Sequence, residues 1–312
     1  MERRRRSVRA LGRAAVLALL ATGLVVCGGG ERGSPSADGA DEAAAERQTL
    51  RRGNGPEPDT LDPQRARTDG AFNILRDLFE GLTSIGPDGE PRTAAAESWQ
   101  VSEDGLEYTF RLREGLRWSN GDALVAADYV AGMRRLVDPA TASPYAQVFD
   151  PVLNAAAIVR GQMPPESLGV SAPDDRTVVI RLQHPAPYLL GLLAQPGTFP
   201  VHGPSLAEHG NEHARPGRLV SNGAFVLSDW VVGSHIVAER NDTYWNDAAT
   251  GVSRVHYVHQ ADVGTEFRQY RAGELDVTYV VPAAQFGWIR ENLPGELHLS
   301  PQLSIYYYGF NL

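Results

Sequence analysis

Residue types able to do chemistry are present, but few are arranged for it. Among the eight histidines, His209 and His213 stand four apart, with Glu208 and Glu212 beside them. On a helix that spacing would put two metal ligands on one face. Gly210 and Asn211 lie between them and Pro216-Gly217 follows, so the segment reads as a solvated loop or helix end. His256 and His259 flank Tyr257-Val258 in a strand-like run. The 38 carboxylates include no pair singled out for acid–base work. No G-x-S-x-G elbow occurs, and the one cysteine, Cys27, lies near the N-terminus, away from any histidine. All 29 basic side chains are arginine, which excludes a Schiff-base lysine and a G-x-x-x-x-G-K phosphate loop. The glycines of Gly53–Pro58 (GNGPEP) lack the third glycine of a dinucleotide loop and are broken by two prolines. No motif supports an enzyme, a cofactor or a metal. An envelope metallohydrolase built on His209 and His213 stands only as a minor alternative.

Charge and hydropathy say where such a chain works. Residues 1–26 carry six Arg and one acid; the remaining residues carry 23 Arg and 37 acids. A body of net charge −14 repels phosphate backbones, so nucleic acid is not an expected partner. The basic start MERRRRSVRALGR runs into an apolar stretch, Ala14 to Val26, too short to span a bilayer and suited to a signal peptide. Cys27 closes that stretch. It is either part of a discarded leader or the lipidated first residue of a mature lipoprotein; Leu24 and Val25 suit lipidation and Val26 does not. We assign 1–27 to the leader. Residues 28–47 hold no large apolar side chain and read as a flexible, charged tether.

The elements that must position a site follow from Glu46 onward. Tyr108, Phe110 and Leu112 alternate with polar neighbours, as in a half-buried strand, and Thr177–Leu182 is a second. Phe225–Val232 and His235–Arg240 flank Gly233-Ser234, a hairpin. Helical spacing links Phe72, Leu75, Leu78, Phe79 and Leu82, and again Val130, Met133, Leu136 and Val137. Further helices are expected at Pro187–Ala194, Gly264–Ala272 and Ala283–Asn292, with turns at Asn120-Gly121 and Asn222-Gly223. The five tryptophans read mostly as core. The mixture is α/β or α+β. Ser304–Phe310 (SIYYYGF) is a strong strand signal close to the last residue, which suggests a truncated form of a longer architecture.

Eight phrases then stand in order: TLDP (Thr60–Pro63), RDLFEGL (Arg76–Leu82), AESW (Ala96–Trp99), FRLREGLRWSNG (Phe110–Gly121), VDPATASPYA (Val137–Ala146), VSNGAFVLSDWVVGSHIVAERNDTYWN (Val220–Asn246), YRAGELD (Tyr270–Asp276) and YYYGFN (Tyr306–Asn311). From about Gln48 to Leu312 the chain resembles the extracellular solute-binding proteins of family 5, in particular the periplasmic oligopeptide-binding members that serve ABC importers. The resemblance implies a type II periplasmic-binding-protein fold with two lobes. Domain I would take 46–80 and 204–300, and domain II 81–203. Residues 301–312 would begin the crossover to a domain III that is absent here.

It also implies a role: an extended oligopeptide, held by backbone pairing, is delivered to a membrane permease driven by a separate ATPase. Side chains of the ligand would enter roomy hydrated pockets, so peptide sequence would matter little. The protein would be a monomer in the periplasm or envelope, meeting the membrane only through a lipid on Cys27. Carried over by position, the ligand-contacting residues are Arg67, Thr68 and Asp69, which would pair with the peptide backbone; Tyr145; and Tyr279 and Val280, which stand where relatives carry two asparagines. Relatives also cap the helix starting near Ala126 with a threonine, where Val125 stands here. A chain with one lobe is expected to bind peptide weakly or not at all, so a non-transporting remnant is the alternative.

Overall fold

The computed structural model describes residues 48–299 and Phe310. Two four-stranded sheets carry it. The first has the order β1-β10-β9-β8, from Thr49–Gly53 (β1), Phe225–Val231 (β8), His235–Arg240 (β9) and Arg254–Val258 (β10). The second has the order β4-β5-β7-β6, from Ala96–Val101 (β4), Glu107–Leu112 (β5), Thr177–Arg181 (β7) and Val170–Asp174 (β6). A two-stranded ribbon, Thr83–Ile85 (β2) with Pro91–Thr93 (β3), lies between them in the chain.

Alternation builds the second sheet. Tyr108, Phe110 and Leu112 on β5 and Val178 and Ile180 on β7 are buried, while Arg111 and Arg181 face out. The helix Ala126–Val137 (α2) covers that apolar face with Tyr129, Met133, Leu136 and Val137. No side chain of Val125 caps it; instead the Asp128 carboxylate reaches back to accept the Val125 N–H at 2.9 Å and the Trp118 indole N–H at 3.2 Å. Half of a capping box thus replaces the missing hydroxyl. A Cβ on Gly132 would lie 2.2 Å from the Phe199 carbonyl oxygen, so only glycine lets the helix come this close.

In the first sheet β1 runs parallel to β10, Thr49 opposite Arg254 and Gly53 opposite Val258, across some 200 residues of chain. The hairpin β8–β9 turns at Gly233, whose φ is +74°. The helix Asp69–Leu78 (α1) buries Ala71, Ile74, Leu75 and Leu78. Helices Leu189–Leu192 (α4), Gly203–His209 (α5), Val263–Arg271 (α6) and Phe286–Asn292 (α7) follow in the chain, and a short helix Ala155–Val159 (α3) precedes them.

Several expectations are corrected. Pro187–Ala194 forms only the single turn of α4, and Ala283–Asn292 divides into a 3-10 turn and α7. Asn222-Gly223 is not a positive-φ turn: a Cβ on Gly223 would lie 2.5 Å from the Leu78 carbonyl carbon, and its N–H bonds the Leu78 carbonyl at 2.8 Å. Trp118 is core, but Trp245 and Trp288 are 36% and 41% exposed. The leader, Cys27, the tether and the crossover residues 301–312, apart from Phe310, lie outside the described residues.

Candidate functional site

The loop after β1 is held from within. Asp62 is 2% exposed and forms a bidentate pair with Arg135 of α2, both contacts at 2.6 Å. Gln64 accepts a third bond from Arg135 at 2.7 Å and donates to the Phe199 carbonyl at 2.9 Å. The Arg65 and Ala66 N–H groups close a turn on the Asp62 carbonyl. This anchor fixes the path of Arg67-Thr68-Asp69, three residues on. Thr68 ends the loop by capping α1, its hydroxyl accepting the Ala71 N–H at 3.2 Å. The Arg67 side chain is 70% exposed and pairs with Asp59 at 2.9 Å. The Arg67 and Thr68 N–H groups donate to no described residue, which leaves two backbone donors free at the surface.

Tyr145 reaches this segment from the other sheet's side of the chain. Its hydroxyl donates to the Arg67 carbonyl at 3.1 Å, and its ring packs on Phe72 of α1 at 5.5 Å between centroids. Beside the pair is a cavity of 280 Å³ lined by Phe72, Leu136, Tyr145, Val148, Leu192 and Pro196 among others.

Tyr279 stands at the other end of the segment. Its N–H donates to the Glu266 carboxylate, and its phenol faces Asp69. Burial, with Asp69 and Glu266 nearby, pushes the phenol above its ordinary value. Gly55, at φ +64°, makes room for the ring: a Cβ there would lie 2.8 Å from Tyr279 Cδ1. Glu266 is fully buried on α6, and burial raises its carboxyl; its second oxygen meets no partner among the described residues. Val280 is 41% exposed and lines a hollow of 690 Å³ together with Tyr279, Tyr270, Val277, Ile289 and Leu293. The structure therefore gathers Arg67, Thr68, Asp69, Tyr145 and Tyr279 along one loop, while Val280 lines the hollow next to Tyr279 and has no hydrogen bond to that loop among the described residues.

Histidines gather no centre. His209 ends α5, Gly210 breaks the helix at φ +54°, and His213 donates Nδ1–H to the Gly210 carbonyl at 2.9 Å. Among the described residues, no three His, Cys, Asp or Glu side chains are placed to hold one metal ion. His235 and His256 meet at a tilt with their ring centroids 4.5 Å apart, and burial depresses His256 and His259 below the ordinary imidazole range.

Sequence reasoning missed the groups that hold the site. These are the Asp62–Arg135 pair, Phe72 as partner of Tyr145, and Glu266 under Tyr279. Glu80 was missed too: it accepts from Tyr244 at 2.6 Å and Trp245 at 2.7 Å, while its backbone meets Asn222. An acid inside apolar runs, as in TLDP and RDLFEGL, is the signal that could have marked Asp62 and Glu80.

Comparison with known proteins identifies the family and the fold. Residues 90–312 match the family described as bacterial extracellular solute-binding proteins, family 5 Middle. The chain is 43% identical over 275 residues to the probable deoxycholate-binding periplasmic protein YgiS of Escherichia coli (strain K12), covering 88% of this chain and 51% of that one. It is 42% identical over 270 residues to the periplasmic oligopeptide-binding protein OppA of the same organism, covering 86% and 50%. The solved structure of Haemophilus influenzae OppA in complex with RPPGFSPFR superposes with a TM-score of 0.77 at 36% identity, over 80% of this chain and 49% of that one. The chain spans about half the length of the curated relatives it matches.

Proposed function

The chain belongs to the bacterial extracellular solute-binding proteins of family 5, and from that membership we propose that it is the ligand-binding component of an ABC peptide importer. It holds an extended oligopeptide in the periplasm and passes it to a membrane permease; no covalent bond changes. The observation that carries this reading is the Arg67–Asp69 segment, with two free backbone donors between two tyrosines. A peptide carbonyl can accept from such donors as an added strand would. The sheet containing β1 and β10, with residues 46–80 and 204–300, serves as one subdomain, and 81–203, around β5 and β7, as the second. Together they supply one wall of the cleft. Among the described residues no helix is long and apolar enough to cross a membrane. A lipid on Cys27 is the attachment this reading proposes.

The test is a titration of the isotopically labelled chain with a tripeptide pool, followed by amide NMR. The expected result is saturable shifts at the Arg67 and Thr68 amides. Folded protein showing no shift there at about 10 mM peptide, weaker than any useful affinity, overturns the reading. A bile acid is a second reading, suggested by the printed name of one relative; the apolar cavity beside Tyr145 would take one end of its ring system. Deoxycholate shifting the amides lining that cavity while tripeptides shift nothing would replace the peptide with it.

A further inference from the structure

The cavity beside Tyr145 differs from the hydrated pockets that the family resemblance implies. Phe72, Leu136, Val148, Leu192 and Pro196 present carbon, and most polar groups in the wall are engaged elsewhere. Thr198 donates its hydroxyl to the Leu193 carbonyl at 3.1 Å and the Gln195 carbonyl at 2.9 Å, and the Gln195 side chain accepts from Arg76 at 3.2 Å. The pocket opens to solvent, but its lining offers water few partners and so favours an apolar guest. Size sets what fits. A cavity of about 150 Å³ takes a benzene, so 280 Å³ accommodates a phenyl or indole ring but not a whole peptide. Position sets whose ring it is. Tyr145 is both a wall of the cavity and the group that holds the Arg67 carbonyl, so the cavity adjoins the backbone donors at Arg67 and Thr68.

We propose that this cavity is a specificity pocket, taking one bulky apolar or aromatic side chain of the ligand whose backbone pairs at Arg67–Asp69. The inference rests on the peptide reading above and makes it selective: this protein prefers peptides with an aromatic residue at one position. Burying a phenyl group in a preformed apolar pocket raises affinity about ten- to a hundredfold over a methyl.

The experiment compares Ala-Ala-Ala with Ala-Phe-Ala, Phe-Ala-Ala and Ala-Ala-Phe on the full chain. Ligand-observed saturation-transfer NMR reads even weak binding, and the quantity of interest is the ratio of affinities for each phenylalanine peptide to trialanine. One of the three is expected to bind at least tenfold better than trialanine. In Val148→Phe, which fills the cavity, that ratio is expected to fall near one. Leu192→Phe provides the same test if the first variant does not give a wild-type melting profile. Trialanine binding with all three ratios near one would overturn the pocket and leave the peptide reading standing. A high ratio that survives both filling variants would place the aromatic group elsewhere and equally overturn it. Absence of binding by all four peptides would remove the peptide reading, and this inference with it.

Discussion

The hydroxyl of Tyr145 donates to the backbone carbonyl of Arg67 at 3.1 Å, joining two segments 78 residues apart. The bond occupies one lone pair of a carbonyl in the segment we assign to ligand pairing, and it leaves the Arg67 and Thr68 N–H groups free. The loop is thereby braced through its carbonyl while these two donors have no partner among the described residues.

Removing only that hydroxyl tests the brace. Tyr145→Phe keeps the ring on Phe72 and should lower unfolding stability by about 0.5–1.5 kcal/mol. Tyr145→Ala, which also empties the ring contact, should lower it further. Equal urea midpoints for Tyr145→Phe and wild type would show that the bond contributes nothing.

The anchor beneath the loop should matter more. Arg135→Met leaves Asp62, 2% exposed, as an unpaired carboxylate and should cost about 3–5 kcal/mol. Asp62→Leu together with Arg135→Met should recover most of that loss, because no buried charge remains. A double variant as unstable as the single one would refute this account; urea unfolding measures both.

Gly55→Ala should disturb the site through Tyr279. A non-glycine residue at φ +64° costs about 1–2 kcal/mol, and the new Cβ would lie 2.8 Å from the Tyr279 ring. Gly121→Ala is the control, since Gly121 has φ +90° and nothing within 4 Å of its Cβ position. Both variants should be destabilised, but only Gly55→Ala should shift the Tyr279 ring signals in NMR. Unmoved Tyr279 signals would show that the glycine serves the turn alone.

Burial raises the Glu80 carboxyl above its ordinary value of 4.5, outweighing the bonds from Tyr244 and Trp245 that favour its charge. The folded state then holds this proton more tightly than the unfolded state. Its contribution to stability is complete below pH 4.5 and is lost as pH rises through the folded value. Glu80→Gln should flatten the stability profile above pH 4.5. An unchanged slope in pH-resolved urea melts would contradict the burial argument.

His259 titrates in the opposite sense. Both its ring nitrogens are enclosed without partners among the described residues, and burial depresses it below 6.5. Its contribution is present above pH 6.5 and is lost as pH falls through the depressed value. His259→Phe should remove part of the acid sensitivity in that window. A variant that melts with the same pH dependence as wild type would argue that the imidazole is hydrated.

Local order was legible in the residues because it is written between near neighbours. The alternation at Tyr108, Phe110 and Leu112 marked β5, and the apolar spacing from Phe72 through Leu75 to Leu78 and from Val130 to Val137 marked α1 and α2. Loop residues for the site could be listed by position, but not joined. That Tyr145 meets Arg67, that Phe72 walls an apolar cavity and that Val280 lines a hollow with Ile289 and Leu293 depend on contacts between residues far apart in the chain.

Sequence by itself determined which segments could be strand or helix, that the body is acidic and free of lysine, and which phrases tie it to a family. The tertiary structure alone decided that β1 lies parallel to β10, that Asp62 is neutralised by Arg135 and that Gly223 serves a close contact rather than a turn. The physical reason is range. Periodicity expresses one element's preference for one apolar face, whereas a buried charge or an absent Cβ acquires meaning only from the atom that packing brings opposite it.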